Sequence, residues 1–388
     1  MREHDPADLD PATRGGDAAR MRAGRPSSVR AVDAAALRLQ FPVLARVAYL
    51  NAGTCGPLPR ASLEAARDVW ELAESQGRGA AYFERLGAMR ERLRAAYASV
   101  LGADPLDVAL TTSTSEGVVR VLAGLELGPG DEVLTAPDEH AGLLGPLRAL
   151  RERRGVAVRT APLAELPDAV GPRTALVACS HVSWTTGALA PEALAGLDVP
   201  LLLDGAQSTG AVPIDLSALG CSFYAGSGQK WLCGPMGSGM LWVSPAWRER
   251  LEPTGLTYVN LSDPAAGLAA RPLPGAARHD APALALETVA PALAAYETLA
   301  SAGLSAVQRR AAGLAARLAE LLAGRGRLIA PRGRSTLVSW HSRDPVLERD
   351  RLAAAGVVVR DLPGTPLLRA STGAWNDESD LERLLAAL

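Results

Sequence analysis

The chain has 388 residues, 48% hydrophobic and 21% charged, with a formal net charge of -2. That length suits two domains, or one large α/β domain with an appendage. The balanced charge gives no footprint for a nucleic acid or a membrane surface, and no apolar run approaches the roughly 18 residues of a membrane span.

The first thirty residues are polar and rich in Asp, Arg, Gly and Pro, without an apolar signal core. They predict a disordered tail over 1–30 rather than an export signal. Apolar spacing predicts a helix over Ala31–Leu39, then a short strand over Val47–Leu50 ending at Asn51. NAGTCGPLP (Asn51–Pro59) is a loop by its Gly and Pro content. Helices follow near Ser62–Gln76 and Tyr82–Leu101. Strands at Asp107–Thr112, Glu132–Ala136, Val156–Thr160, Ala175–Cys179, Val199–Leu203, Cys221–Ala225 and Gly239–Val243 come next, with helices at Ser115–Leu125 and Gly142–Arg153. The unbroken apolar run at Val199–Leu203 is the pattern of a strand buried on both faces. Such alternation predicts a mostly parallel, helix-covered sheet. Pro- and Gly-rich sequence over Ser262–Pro282 reads as a long loop, and an alanine-rich helix spans Ala283–Ser301. Beyond Gly303 the expected order is helix, strand, strand, helix, strand, strand, helix. The division expected is a large domain over 31–290 and a smaller α+β domain over 291–388.

Four cysteines (Cys55, Cys179, Cys221, Cys233) form no C-x-x-C pair, and the five histidines show no helical metal-ligand spacing. The expectation is a reducing cytoplasm and no structural metal. Basic residues number 40, yet one alone is lysine, Lys230. Arginine replaces lysine wherever only charge is needed, but it neither loses its proton near neutrality nor forms a Schiff base. The exception therefore points to amine chemistry at Lys230.

Asp204 directly follows the buried apolar run, at the strand end where open α/β sheets bind ligands. It is either a turn or cap aspartate or a carboxylate that keeps a pyridine nitrogen protonated, as a pyridoxal cofactor requires. Gln207 lies three residues on, in reach of the ring's phenolic oxygen or simply a polar loop residue. Lys230 sits in the Gly-rich loop YAGSGQKWLCGPMGSG, where Trp231 and Leu232 pack the loop down. A phosphate-gripping P-loop is disfavoured, because Gln229 precedes the lysine and Trp231 follows it. LTTSTSEGVV (Leu110–Val119) supplies a strand end, a capping box from Ser113 and Glu116, and the hydroxyls of Thr114 and Ser115 at a helix N-terminus, an anion cup. Ser227 and Gln229 add donors. His140, past another strand end, is structural or stacks on a cofactor face. Arg369, among apolar residues in PLLRAST, is a two-pronged partner for an α-carboxylate or a solvated charge.

HAG after a strand, SHVSWTTG, DGAQSTGAVPIDL, SGQKWLCGP-x-G-x-G and a terminal LLRAST resemble the class V aminotransferases from about Phe41 onward. That family of fold-type I pyridoxal-phosphate enzymes includes cysteine desulfurases, C–S lyases and isopenicillin N epimerase. The resemblance implies the fold-type I architecture, with a mostly parallel seven-stranded sheet. It implies Lys230 as Schiff-base lysine, Asp204 at the pyridine nitrogen, Gln207 at the phenolic oxygen and His140 on the ring. Thr114, Ser115 and Ser227 would hold the phosphate and Arg369 the substrate carboxylate. Asn51 and Cys55 belong to the segment that resembles the family's substrate-side N-terminal loop. A homodimer with its active site at the interface is also implied.

Gln229 stands where desulfurases usually have His, and Pro282 and Ala283 where many relatives have Gly-Thr at the partner's phosphate. Trp184 stands where many relatives have Asn, and the C–S lyases resemble this chain in having Trp there. No cysteine follows Cys233, so the mobile relay thiol of a desulfurase is missing. The expectation is β-elimination from a cysteine-like amino acid, with transamination or epimerisation as alternatives and a non-catalytic cofactor-binding protein as the remote one.

Overall fold

The computed structural model describes residues 32–388; the tail expected over 1–30 lies outside them. Helix α1 (Ala34–Leu39) starts where the Asp33 side chain accepts the Ala36 amide, and β1 (Ala48–Tyr49) follows. Helices α2 (Arg60–Gln76) and α3 (Ala80–Leu101) come next. α3 stops at Gly102, whose φ of 63° is the left-handed cap that glycine adopts without strain.

Then strand and helix alternate: β2 (Val108–Thr111), α4 (Thr114–Gly124), β3 (Glu132–Thr135), α5 (Ala141–Arg154), β4 (Ala157–Thr160), α6 (Leu166–Ala169), β5 (Thr174–Ser180), β6 (Leu201–Asp204), α7 (Leu216–Leu219), β7 (Phe223–Ser227) and β8 (Gly239–Val243). β6 begins two residues later than its apolar run suggests. Pro200 has no N–H to give a ladder and serves only as the acceptor of the Val177 amide.

The seven strands lie in the order β2-β8-β7-β6-β5-β3-β4. β8 runs antiparallel to both neighbours and the other pairings are parallel, so the carboxyl ends of the remaining strands share one edge. Along β6, Leu201 and Leu203 enter one apolar core while Leu202 enters the other. The first core includes Leu93 and Tyr97 of α3; the second includes Val118 and Val121 of α4 and Leu143 of α5. This period-2 partition buries both faces of the sheet.

The 262–282 segment is not featureless. It holds 3₁₀ turns at Pro264–Ala269 and Gly275–His279. It is anchored by Asp280, whose carboxylate accepts from Arg90 (2.9 Å), Arg94 (2.8 Å) and the Leu110 amide (2.8 Å). α8 (Leu286–Ser301) packs on α2 and α3, and the boundary expected at 290 falls inside it.

After α8 come α9 (Leu304–Gly324), β9 (Leu337–His341), α10 (Pro345–Ala354), β10 (Val357–Val358), β11 (Arg360–Asp361), β12 (Leu367–Ser371) and α11 (Glu378–Ala387). The second strand expected before α10 reduces to a single bridge between Ile329 and Trp340. β11, β12 and β9 form an antiparallel sheet, and β10 pairs in parallel with β1. Ala48 and Leu50 thereby share a core with Trp340, Leu368 and Leu384, which brings the Asn51–Pro59 loop between the two sheets' ends.

Candidate active site

The common carboxyl edge of β2, β3, β5, β6 and β7 opens onto a cavity of about 250 Å³. The end of β2 leads into α4, where the Ser113 hydroxyl accepts the Glu116 amide at 3.1 Å. The reciprocal half of the expected capping box does not form. The Glu116 carboxylate bonds the Thr112 amide and hydroxyl, each at 2.6 Å, and pairs with Arg120 at 2.7 Å. With Arg120 one helical turn along, the carboxylate is held beside Thr112, the residue after β2, rather than folded back on the cap.

Thr114 and Ser115 face the cavity from this helix start, and Ser227 and Gln229 from the end of β7. Thr114 Oγ1, Ser227 Oγ and Gln229 Oε1 are buried without a hydrogen-bond partner among the described residues. Leaving one such group unpaired costs about 1–3 kcal/mol. The two hydroxyls, on one small cavity at a helix N-terminus, fit a dianionic phosphate that would accept from both, whereas the Gln229 amide oxygen is itself an acceptor and calls for a donor.

At the end of β6, Asp204 is 6% exposed and accepts the Ala206 amide at 2.9 Å. Burial raises its pKa, and the Ala206 bond and the Lys230 cation oppose the rise. Burial pushes the Lys230 amine down to about 8, with Asp204 opposing and Arg369 adding to the fall. Such an amine is partly neutral near physiological pH, the state in which it is a nucleophile or base. The loop is pinned as its sequence suggests: Trp231 and Leu232 are buried, and Trp231 Nε1 donates to Gln207 Oε1 at 3.2 Å. The Gln207 amide in turn donates to the Gly53 carbonyl at 2.7 Å.

His140 caps α5, its Nδ1 accepting the Gly142 amide at 3.0 Å, so its proton resides on Nε2. Burial, then the Lys230, Arg360 and Arg369 cations, push its pKa down to about 4, which keeps the ring neutral. Trp184 meets it edge-on at 5.2 Å and donates its indole N–H to the Asp138 carbonyl at 2.8 Å. Behind them Glu139 is buried, accepting the Ser180 amide at 2.7 Å and the Ser180 hydroxyl; burial pushes its pKa up to about 7.

Arg369, 1% exposed, donates to the Trp184 carbonyl at 2.6 Å while its Nε has no partner. Burial and Arg360 lower its pKa to about 9, so it stays charged at neutrality. The cavity thus gathers Lys230, Asp204, His140, Thr114, Ser115, Gln207, Ser227, Gln229, Arg369, Cys55 and Trp184. Asn51 is the exception: its side chain accepts the Thr54 hydroxyl at 2.7 Å, and Thr54 lines the cavity in its place.

Sequence reasoning missed Arg360, which also lines the cavity. It sits on β11 directly across from Arg369 on β12 and donates to Thr54 Oγ1 at 3.2 Å. The signal was present in the turn sequence DLPGTP, which folds the two strands together with Gly364 at φ 77°. Neither guanidinium pairs with a carboxylate among the described residues.

The Aminotransferase class-V family matches residues 48–344. Isopenicillin N epimerase of Streptomyces clavuligerus is 32% identical over 381 residues, covering 88% of this chain and 94% of that protein. A probable cysteine desulfurase of Pseudomonas aeruginosa is 32% identical over 400 residues, covering 90% of this chain and 96% of its own length. Among solved structures, the cystine C–S lyase C-DES in complex with its reaction product cysteine persulfide superposes with a TM-score of 0.83. It is 27% identical, with 89% of this chain and 98% of that one covered. A mutant of C-DES with glycine covalently linked to its pyridoxal-phosphate cofactor gives 0.85, 28%, 90% and 98% in the same order. Family match, full-length relatives and a phosphate cup beside a lone lysine and a buried aspartate converge: this chain belongs to the class V aminotransferases, enzymes that depend on pyridoxal 5′-phosphate.

Proposed function

We propose that the chain is a C–S lyase that eliminates the β-substituent of a cysteine-like amino acid. When bound, pyridoxal phosphate supplies an aldehyde for the substrate amine and an electron sink for the α-carbon. Lys230 would hold that aldehyde, and its amine, once free, takes the α-proton at Nζ as general base. Asp204 would hold a proton on the pyridine nitrogen, with Gln207 at the phenolic oxygen and the neutral His140 ring on the cofactor face. Thr114, Ser115 and Ser227 would donate to the phosphate, and Gln229 through its side-chain N–H. Arg369 would bind the α-carboxylate, its geometry suited to a two-pronged carboxylate contact, and Trp184 would wall the side-chain end.

The observation that carries the substrate class is the guanidinium pair. Two cations on one cavity wall, neither with a carboxylate partner, suit a substrate with two carboxylates. A disulfide of two cysteines carries one at each end with the scissile C–S bond between. The absence of any cysteine after Cys233 supports release of the sulfur product over a desulfurase relay from the C-terminal half. Cofactor-loaded protein incubated with cystine, cysteine and their thioethers should form pyruvate; if none does, the lyase reading fails.

The identity to isopenicillin N epimerase favours a second reading, inversion at the α-carbon. It would exchange the α-proton for solvent deuterium with no keto acid formed. An aminotransferase would instead lose the cofactor's visible absorbance to an amino donor alone and regain it with a keto acid.

We further infer a homodimer with the site at the interface. A groove of about 530 Å³ beside α3, with Phe83 and Tyr258 exposed at its rim, supports it. Sedimentation at micromolar concentration tests it. Among the described residues no helix is long and apolar enough to cross a membrane, and four free thiols suit a reducing cytoplasm.

A further inference from the structure

We propose that Cys55 is a sulfur-accepting site, taking the outer sulfur of a persulfide released in the cavity. This rests on the lyase reading with a disulfide amino acid as substrate.

Of the four thiols, Cys179, Cys221 and Cys233 are buried in the apolar core, whereas Cys55 is half-buried and lines the cavity with Lys230. Its position is built rather than incidental. The Thr54 and Cys55 amides both donate to the Asn51 carbonyl, at 3.0 and 3.2 Å. The Tyr49 hydroxyl donates to the Cys55 carbonyl at 2.9 Å. The Gly56 amide donates to the Gln229 carbonyl at 2.8 Å, and a Cβ at Gly56 would collide with the Lys230 carbonyl. Cys55 is therefore fixed against the loop that carries the lysine.

An independent feature points to the ligand. Arg369 is 1% exposed, lines the same cavity and keeps Nε unpartnered. Across the strand pair from it, Arg360 donates to Thr54, the residue next to Cys55. Cations at both places draw an anionic amino-acid persulfide against the thiol.

The step balances without an oxidant. The Cys55 thiolate attacks the outer sulfur of R–S–SH, a new S–S bond forms, and the original S–S bond breaks. R–S⁻ leaves and takes the proton that Cys55 gave up, while the sulfane sulfur keeps its oxidation level. A stationary thiol would thus carry sulfur in a chain where no cysteine follows Cys233.

The test uses the full chain loaded with cofactor and given cystine, then alkylated, digested and weighed, with pyruvate followed in parallel. One added sulfur at Cys55, approaching one per subunit and removed by dithiothreitol as sulfide, is expected; Cys179, Cys221 and Cys233 stay unmodified. Pyruvate accumulating while Cys55 remains a free thiol overturns the proposal and leaves the lyase intact. So does a whole cysteinyl group on Cys55, the mark of simple disulfide exchange. If no pyruvate forms, the lyase reading is lost, and preformed cysteine persulfide is added to the same protein. Failure of that reagent to load Cys55 ahead of the three buried thiols overturns the site separately.

Discussion

Replacing Arg360 with Gln removes one of two facing cations while sparing the cross-strand partner Arg369. Arg360 keeps one bond in the structure, to Thr54 Oγ1 at 3.2 Å, so little of the fold depends on it. A charged hydrogen bond to a substrate carboxylate contributes about 1.5–3 kcal/mol. At about 1.4 kcal/mol per decade, its loss lowers kcat/KM for cystine by roughly 10- to 150-fold. S-methylcysteine, with one carboxylate, makes no use of Arg360 and should change by less than about threefold, within the usual reach of a surface substitution. Arg369→Gln should impair both substrates, since the α-carboxylate is common to them. Pyruvate formation measured for three proteins and two substrates isolates the distal contact as a difference of differences. Equal losses for the two substrates in R360Q would refute a distal carboxylate site and, with it, the dicarboxylic substrate class.

Lys230→Ala should lower turnover at least ~10³-fold, beyond the middle of the range for loss of a general base, and borohydride should fix no pyridoxyl group on that protein; a labelled variant would show the cofactor held elsewhere. Asp280→Ala removes the buried carboxylate from Arg90 and leaves the buried Arg94 with the exposed Glu91 alone, so urea unfolding should show a loss of about 3–5 kcal/mol; an unchanged midpoint would dismiss the anchor. His140, His181 and His279 are each pushed down to about 4 by burial. Because the unfolded chain takes up more protons between the ordinary value near 6.5 and 4, stability falls as pH drops through that window. Glu139, raised to about 7, works oppositely and gains from 7 downward, leaving a net loss of roughly 2–4 kcal/mol at pH 5. A urea midpoint that holds or rises between pH 7 and pH 5 would contradict that balance.

What could be read in advance was whatever local chemistry writes into a short window. The apolar run before Asp204 marks a two-faced strand because such a strand needs no polar alternation. Lys230 stands out because every other basic position is arginine. The Ser113 cap follows from residue type three positions ahead of an available amide. Each of these signals is complete within a few residues, and each lands at the cavity.

Other features depend on the rest of the chain. Glu116 has the right spacing for a reciprocal cap, yet Arg120 and the half-buried Thr112 just past the end of β2 compete for its carboxylate and win. Asn51 opens the right loop, but the pairing of β1 with β10 and its bridge to Ser371 orient that loop so that Thr54 takes the cavity side. Arg360 was hidden by the same bias that exposed Lys230: in a chain where arginine fills every other basic position, a functional arginine has no compositional mark. What marks it is its place on the cavity across from Arg369 with no carboxylate partner, a combination that no window of sequence contains. The lone lysine advertises the chemistry at the α-carbon. On the proposed lyase reading, discrimination among substrates falls to guanidiniums that become recognisable only after β11 and β12 fold back on one another.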